Sequence, residues 1–451
     1  MQPNEASFLQ RNAVVVKASV IFILVLLLLI PSTMIQGLIQ EREMRKEEAI
    51  REISAKWGER QTITGPVLTI PYLEFYRDSS KVVRQVTRYM HFLPDELTVN
   101  GQLFPEKRYR GIYEVVVYNS DVKLSGNFPP INFSNLGIPQ ENLRLQDAFL
   151  SVGITDLRGI KEQITLNWNN QKYSFNPGVA SSDVLASGIN SPVQLTNTGT
   201  NAPYTFSLSL HLKGSEFLYF VPVGKETNVQ VGSKWQNPSF DGAFLPDQRQ
   251  VDQDGFTASW KVLHLNRNFP QQWKGASYDV GSAAFGVNLL LPVDSYQKSM
   301  RSVKYAILFI GLTFLIFFFI ELLHKRSVHP FQYVLIGLAL CIFYTLLVSI
   351  SEYTNFNIAY LIASLMTIGL VTVYTYSVFS SRKLAALVGG TLVILYAYIF
   401  IIIQLQDFAL LMGSLGLFLI LALVMYYSRK VDWYNLGLKN TDKPAAGDLT
   451  A

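Results

Sequence analysis

The stretch "DQRQVDQDG" (residues 247–255) holds the residue types nearest to a metal loop. Asp252, Asp254 and Gly255 echo part of a calcium-binding loop, where alternate carboxylates supply oxygens and a glycine turns the chain. With Asp252 third and Gly255 sixth, the twelfth position is Lys261, where such a loop needs a bidentate Glu. Asp-Gly is also the commonest hairpin signal, so a turn is expected here. The five histidines carry no H-E-x-x-H, and the chain has no G-x-S-x-G, P-loop or G-x-G-x-x-G. His91, His211 and His264 are far apart in sequence, and a structural role is expected for each. No catalytic residue, metal ligand or cofactor is assigned.

Three groups near apolar runs are the remaining polar candidates: Glu321, His329 and Glu352. Glu321 and His329 belong to "ELLHKRSVHPFQY" (321–333), which sits between two apolar runs. Glu321 and Glu352 lie at opposite ends of spans. A bilayer core of about 30 Å should keep them apart. No ionisable group falls mid-span, which argues against an ion-coupled pump.

The elements that position these groups are long and apolar. Hydrophobic residues make up 49% of the 451 residues and charged ones 16%, well under the roughly 25% of soluble domains. Six runs are long enough to span a membrane: 14–34, 303–323, 331–350, 356–379, 384–403 and 408–427. The first exceeds a signal-peptide core and lacks a clean cleavage site, so it reads as an anchor. The single cysteine, Cys341, lies in the third run and excludes an intramolecular disulfide.

Basic residues give the orientation. Arg11 and Lys17, Lys325 and Arg326, Arg382 and Lys383, and Arg429 and Lys430 flank alternate spans, while "SEYTN" and "QLQD" have no basic residue. The positive-inside rule then predicts both termini in the cytoplasm and residues 37–302 outside. Residues 37–302 carry a net charge of +1 and the remainder +4. The basicity therefore belongs to membrane flanks and lipid headgroups, not to a nucleic-acid surface.

The predicted domains are 1–36 (N-terminus and first span), 37–60 (a stalk helix), 61–302 (β-rich), 303–428 (five spans) and 429–451 (tail). In the stalk, Glu41, Glu47 and Glu52 each precede a basic residue by four, the favourable helical order. "TGPVLTIPYLEFY", "GIYEVVVYNSDVKLSGNF", "YTFSLSLHLKG", "FLYFVPV" and "FGVNLLLPV" read as strands. The fold class expected is a multi-pass α-helical membrane protein with a large, mainly antiparallel β domain, as one sandwich or two β-modules. Likeness between residues 111–128 and 204–220 hints at duplication, and 176–203 reads as a loop between halves.

The stretches "GPVLTIPY", "HFLPDELTVNG", "SVGITDLRGI", "PSFDGAFLPDQRQVDQDGFTASW" and the run through "HPFQYVLIGLALCIFYTLLVSISEYTNF" resemble the CreD family of bacterial inner-membrane proteins. The resemblance covers most of the chain in order. It implies an inner-membrane protein linked to envelope integrity and stress response, and it brings no catalytic residues. The expected activity is binding of an envelope component or protein partner by a periplasmic β domain. Two alternatives stay open: a transporter of a lipid or small molecule through the helix bundle, and a periplasmic envelope hydrolase.

Overall fold

The computed structural model describes residues 13–77, 82–131, 137–195, 202–291, 295–324, 327–405 and 408–429. The chain divides into two compact units. One is Lys46–Pro292; the other joins Met1–Arg45 to Val293–Ala451.

The β unit contains seventeen strands among its described residues. They are β1 (Gln61–Arg77), β2 (Val83–Phe92), β3 (Glu96–Arg110), β4 (Tyr113–Phe128), β5 (Phe149–Ile154), β6 (Thr165–Trp168), β7 (Gln171–Ser174), β8 (Asn176–Pro177) and β9 (Gly188–Pro192). Then follow β10 (Tyr204–Ser215), β11 (Phe217–Val221), β12 (Glu226–Ser233), β13 (Pro238–Gly242), β14 (Gln248–Asp252), β15 (Gly255–Leu263), β16 (Gln272–Lys274) and β17 (Phe285–Leu289). A nine-stranded sheet runs β13-β17-β11-β1-β5-β9-β8, with β2 on β1 and β16 on β2. An eight-stranded sheet runs β14-β15-β12-β3-β4-β10-β6-β7. The described pairings are antiparallel except β1 with β11 and β3 with β12, so both sheets are mixed.

Period-two alternation explains the packing. In β10, Phe206, Leu208, Leu210 and Leu212 are buried while Ser207, Ser209 and His211 face outward. One apolar core takes side chains from both sheets, including Leu124, Leu210 and Trp260 from one and Leu150, Leu218 and Phe285 from the other. Trp260 meets Phe285 at 5.5 Å. A single core replaces the two-module alternative. The two stretches that hinted at duplication are instead direct neighbours, β4 and β10, paired over their length. The supposed inter-half loop carries β8 and β9, because "GINSP" completes the edge beside β5. The Asp-Gly turn forms as expected: Asp252 pairs with Gly255 across the β14–β15 hairpin, and the Asp254 amide donates to Asp252 Oδ1 at 2.9 Å.

Helix α1 (Ala13–Trp57) runs unbroken through the first apolar run and the predicted stalk. The others are α2 (Ser295–Lys304), α3 (Ala306–His324), α4 (Pro330–Ser351), α5 (Phe356–Phe379), α6 (Arg382–Gln404) and α7 (Ala409–Ser428). Five described helices are long and apolar enough to cross a membrane: α1, α3, α4, α5 and α6. In the sixth predicted run the apolar stretch is shorter, Leu410–Tyr426. The helical unit packs on rings: Phe309, Phe343, Tyr360 and Tyr396 cluster with centroids 4.5 to 6.3 Å apart. Gly337 of α4 lets α1 approach, since a Cβ there would sit 2.1 Å from Leu28.

Candidate functional site

The outer face of the eight-stranded sheet changes character along its strands. At the far end of the β3–β4 hairpin it is apolar, and residues 46–57 of α1 cover it. Ile50, Ile53 and Trp57 pack on Val115 and Val117. The Trp57 indole N–H donates to the Tyr118 carbonyl at 3.3 Å, and its ring lies under Arg108 and Lys213 at 4.8 and 4.5 Å. The helix end is held by Asp156. Its carboxylate accepts from the Glu59 and Arg158 amides at 2.9 and 3.1 Å and from Arg158 Nε at 2.9 Å. Arg158 in turn donates to the Ala55 carbonyl at 2.8 Å, one of the carbonyls that α1 leaves open at its end.

Away from the helix the same face is open and polar. Strand register places Asn100 beside Gln230, Gln230 beside Ser259, and Ser259 beside Gln248, one row across β3, β12, β15 and β14. The next row is Thr98, Asn228 and Lys261. Neighbouring strands lie about 4.8 Å apart, so each row is a ladder of amides and hydroxyls at that spacing. The rows floor a cleft of about 550 Å³, walled by Asp247, Leu263 and Asn266. Its two charges are already engaged. Asp247 accepts from the Lys261 amide at 2.6 Å, and Lys261 Nζ pairs with Glu226 at 2.9 Å. What remains is a set of neutral groups that both donate and accept hydrogen bonds.

The histidines occupy separate places. His91 is 1% exposed. Its Nδ1 lies 3.0 Å from Thr69 Oγ1 and its Nε2 3.3 Å from Asp183 Oδ2. The carboxylate only accepts, so Nε2–H donates to it and the Thr69 hydroxyl donates to Nδ1. Burial holds this imidazole below its usual pKa, while Asp183 pulls the other way. The chain of groups has the order of a nucleophile relay. Its hydroxyl is nevertheless only 2% exposed, walled off from any substrate. The arrangement instead ties Asp183, in the 176–203 stretch, to the nine-stranded sheet. His211 stands on the outer face between Asp121 at 2.6 Å and Glu162 at 3.3 Å. Among the described residues no polar contact joins His91, His264 and Asp252, and no three His, Cys, Asp or Glu side chains form a metal cluster.

In the helical unit, Glu321 and Glu352 each meet a cation of α1. Lys17 binds Glu321 and also donates to the Val328 carbonyl at 2.9 Å. Glu321 further accepts from the Val328 amide at 3.2 Å and the Tyr333 hydroxyl at 3.4 Å. Glu352 pairs with Arg42 at 3.6 Å and accepts from the Tyr296 hydroxyl at 3.2 Å. Lys17 and Arg42 are 25 residues apart on one helix, about 37 Å at 1.5 Å per residue. His329 joins neither pair. It caps α4: its Nδ1 accepts from the Phe331 amide at 3.2 Å, and its own amide donates to Gln332 at 3.0 Å. His329→Ala should therefore cost about 1 kcal/mol, and His329→Asn much less, read as a shift in thermal unfolding of the detergent-solubilised protein. Arg382 and Lys383 are exposed in the first turn of α6, and Arg429 is exposed after α7. Arg11, Lys325, Arg326 and Lys430 lie outside the described residues.

Sequence reasoning did not find the amide ladder. Each strand shows polar alternation, as in "LTVNGQ" and "TNVQVG", but the row exists only once β3 and β12 pair in parallel across 130 residues of chain.

Comparison with known proteins agrees with the architecture. The family described as "Inner membrane protein CreD" matches residues 13–434. The Inner membrane protein CreD of Escherichia coli (strain K12) is 33% identical over 428 residues, covering 94% of each chain. A match over the apolar helices and the whole β unit together, rather than over either part alone, makes this chain a member of the CreD family of inner membrane proteins.

Proposed function

We propose that this chain maintains the cell envelope from the inner membrane. In this reading the β unit faces the periplasm and captures an envelope component on the open face of its eight-stranded sheet. The observation that carries the reading is the 550 Å³ cleft with Asn100, Gln230, Ser259 and Gln248 in one row. Such a concave, pre-formed surface with convergent polar groups is the usual form of a binding site. The clustering of Lys and Arg on alternate span flanks supports the outward placement of the β unit. Transport through the helices has less support, because Phe309, Phe343, Tyr360 and Tyr396 pack in tilted and edge-on contact inside the bundle.

Native Cys341 is buried, so a cysteine at an exposed cleft position is a clean reporter once Cys341→Ala is introduced. With Gln230→Cys, a membrane-impermeant maleimide should label the protein in cells whose outer membrane alone is opened. Labelling only after the inner membrane is broken would place the cleft in the cytoplasm and end the proposal.

A further inference from the structure

We infer that the ligand of this cleft is a neutral glycan chain, an inference that rests on the capture role proposed above. The chemistry of the open face selects among ligand classes. Counting outward from the cleft, the first row continues from Asn100 to Lys123 and Ser209 on β4 and β10. The second continues from Thr98 to Ser125, Ser207 and Asn167. Each row crosses six strands, and together they place Asn, Gln, Ser or Thr at every position but two, which are lysines.

Each alternative class needs something this face lacks. An anionic polymer or phosphate needs a run of unpaired cations. Here Lys261 is already paired with Glu226, which leaves Lys123 as a single cation between Asn100 and Ser209 rather than a run. A lipid needs apolar surface, and the exposed apolar side chains of this face stand apart from one another: Leu263 at the cleft wall with Leu265 beside it, and Phe104 further along β3 beyond Gln102. A protein interface centres on aromatic and aliphatic anchors. The cleft's one aromatic, Trp260, is turned inward, 2% exposed, with its N–H given to the Phe244 carbonyl at 3.3 Å. Within the two rows only the lysines are charged; the carboxylates of Asp121, Glu96 and Glu226 stand in the rows on either side. A polyhydroxylated chain fits what is present. Each sugar hydroxyl both donates and accepts, as does each side-chain amide. A flat row of such groups at strand spacing can hold an extended polymer laid across the strands. The face also divides sharply. Where it carries valines, α1 covers it; where it carries amides, it is open. The open part is thus not a seat for another hydrophobic element of this chain.

The test uses full-length protein in detergent and two probes: chitotetraose as a neutral oligosaccharide and heparin as an anionic one. Calorimetric titration should show saturable binding of chitotetraose that heparin does not displace. The Asn100→Ala/Gln230→Ala variant, with both side chains exposed, should weaken it at least tenfold at an unchanged unfolding temperature. In cells, a photo-crosslinking residue in place of Gln248 should give a high-mass adduct that a muramidase shortens. Chitotetraose that fails to bind, equal binding by the variant, or preference for heparin would overturn the glycan assignment. So would an adduct that a protease removes and a muramidase does not. That last outcome leaves capture of an envelope component standing, with a protein as the component. The maleimide result separately tests the periplasmic placement on which the capture role rests.

Discussion

Replacing Asp156 with alanine should lower the stability of the β unit by about 2 kcal/mol, at about 1 kcal/mol for each part-buried amide donor left unpaired. The carboxylate is buried and collects three hydrogen bonds at the end of α1. Its backbone carbonyl and amide also hold the Gln61 side chain, at 2.9 and 3.2 Å. The ion pair with Arg158 is the smaller part, because the Arg158 side chain is 58% exposed and solvent screens it. The two amide donors, Glu59 and Arg158, are what alanine would strand. Asp156→Asn keeps one acceptor oxygen and should cost less than half as much. Limited proteolysis of the full-length protein, with cleavage mapped to residues 50–62, measures the effect at the joint itself. Equal resistance of the alanine variant and the parent would show that Trp57 packing alone holds the helix end.

The same residue gives a pH dependence with a definite sign. Burial alone would raise the Asp156 pKa, but hydrogen bonds from Arg158, from the Glu59 amide and from the Arg158 amide outweigh it and leave it lowered. A carboxyl whose folded pKa lies below its unfolded value stabilises the fold fully above the unfolded value, about pH 4. That contribution fades as pH falls through the folded value. Protease resistance at the joint should therefore drop below about pH 4 in the parent. The Asn variant should lose this part of the slope.

Much of the architecture was legible in residue order because its signals are local. Apolar runs mark α1, α3, α4, α5 and α6 by length alone, and alternation in "TFSLSLHL" marks β10. The Glu-to-basic spacing after residue 40 marks a helix, and α1 does continue through it. Non-local features were not legible. Nothing in "GINSP" announces that it pairs with β5, and short polar edge strands carry little pattern of their own. The parallel pairing of β3 with β12 brings Asn100 to Gln230, and no periodicity within either strand encodes a partner. Lys17 reads as an orientation signal, and its hydrogen-bonded place beside Glu321, 304 residues away, appears only in the packed bundle. His329 was legible by type and not by role: a histidine before Pro-Phe-Gln at a helix start is a cap, and its neighbours in sequence supply both of its described bonds.

Glu321→Ala is expected to be the more damaging change of the Lys17–Glu321 pair, at about 3 kcal/mol. The asymmetry between the partners makes the case. Glu321 serves Lys17, the Val328 amide and the Tyr333 hydroxyl, so alanine strands two donors and takes the counter-charge from Lys17, which keeps only the Val328 carbonyl. Lys17→Ala strands less, because the carboxylate loses its ammonium but keeps the Val328 and Tyr333 donors, and the Val328 carbonyl loses one donor. The order of thermal stability in detergent should then be parent, Lys17→Ala, Glu321→Ala. The exchanged pair Lys17→Glu/Glu321→Lys restores attraction but not the Val328 acceptor, and should fall between the two single variants. An exchanged pair no more stable than Glu321→Ala would mean that charge pairing does not hold α1 here. The second clamp supplies an independent check. Arg42 and Glu352 engage some 37 Å further along the same helix, well beyond the 7–10 Å within which substitutions couple. The losses from Glu321→Ala and Glu352→Ala should therefore add to within about 0.5 kcal/mol. A combined loss much smaller than the sum would mean that α1 leaves the bundle as one rigid rod once either end is freed.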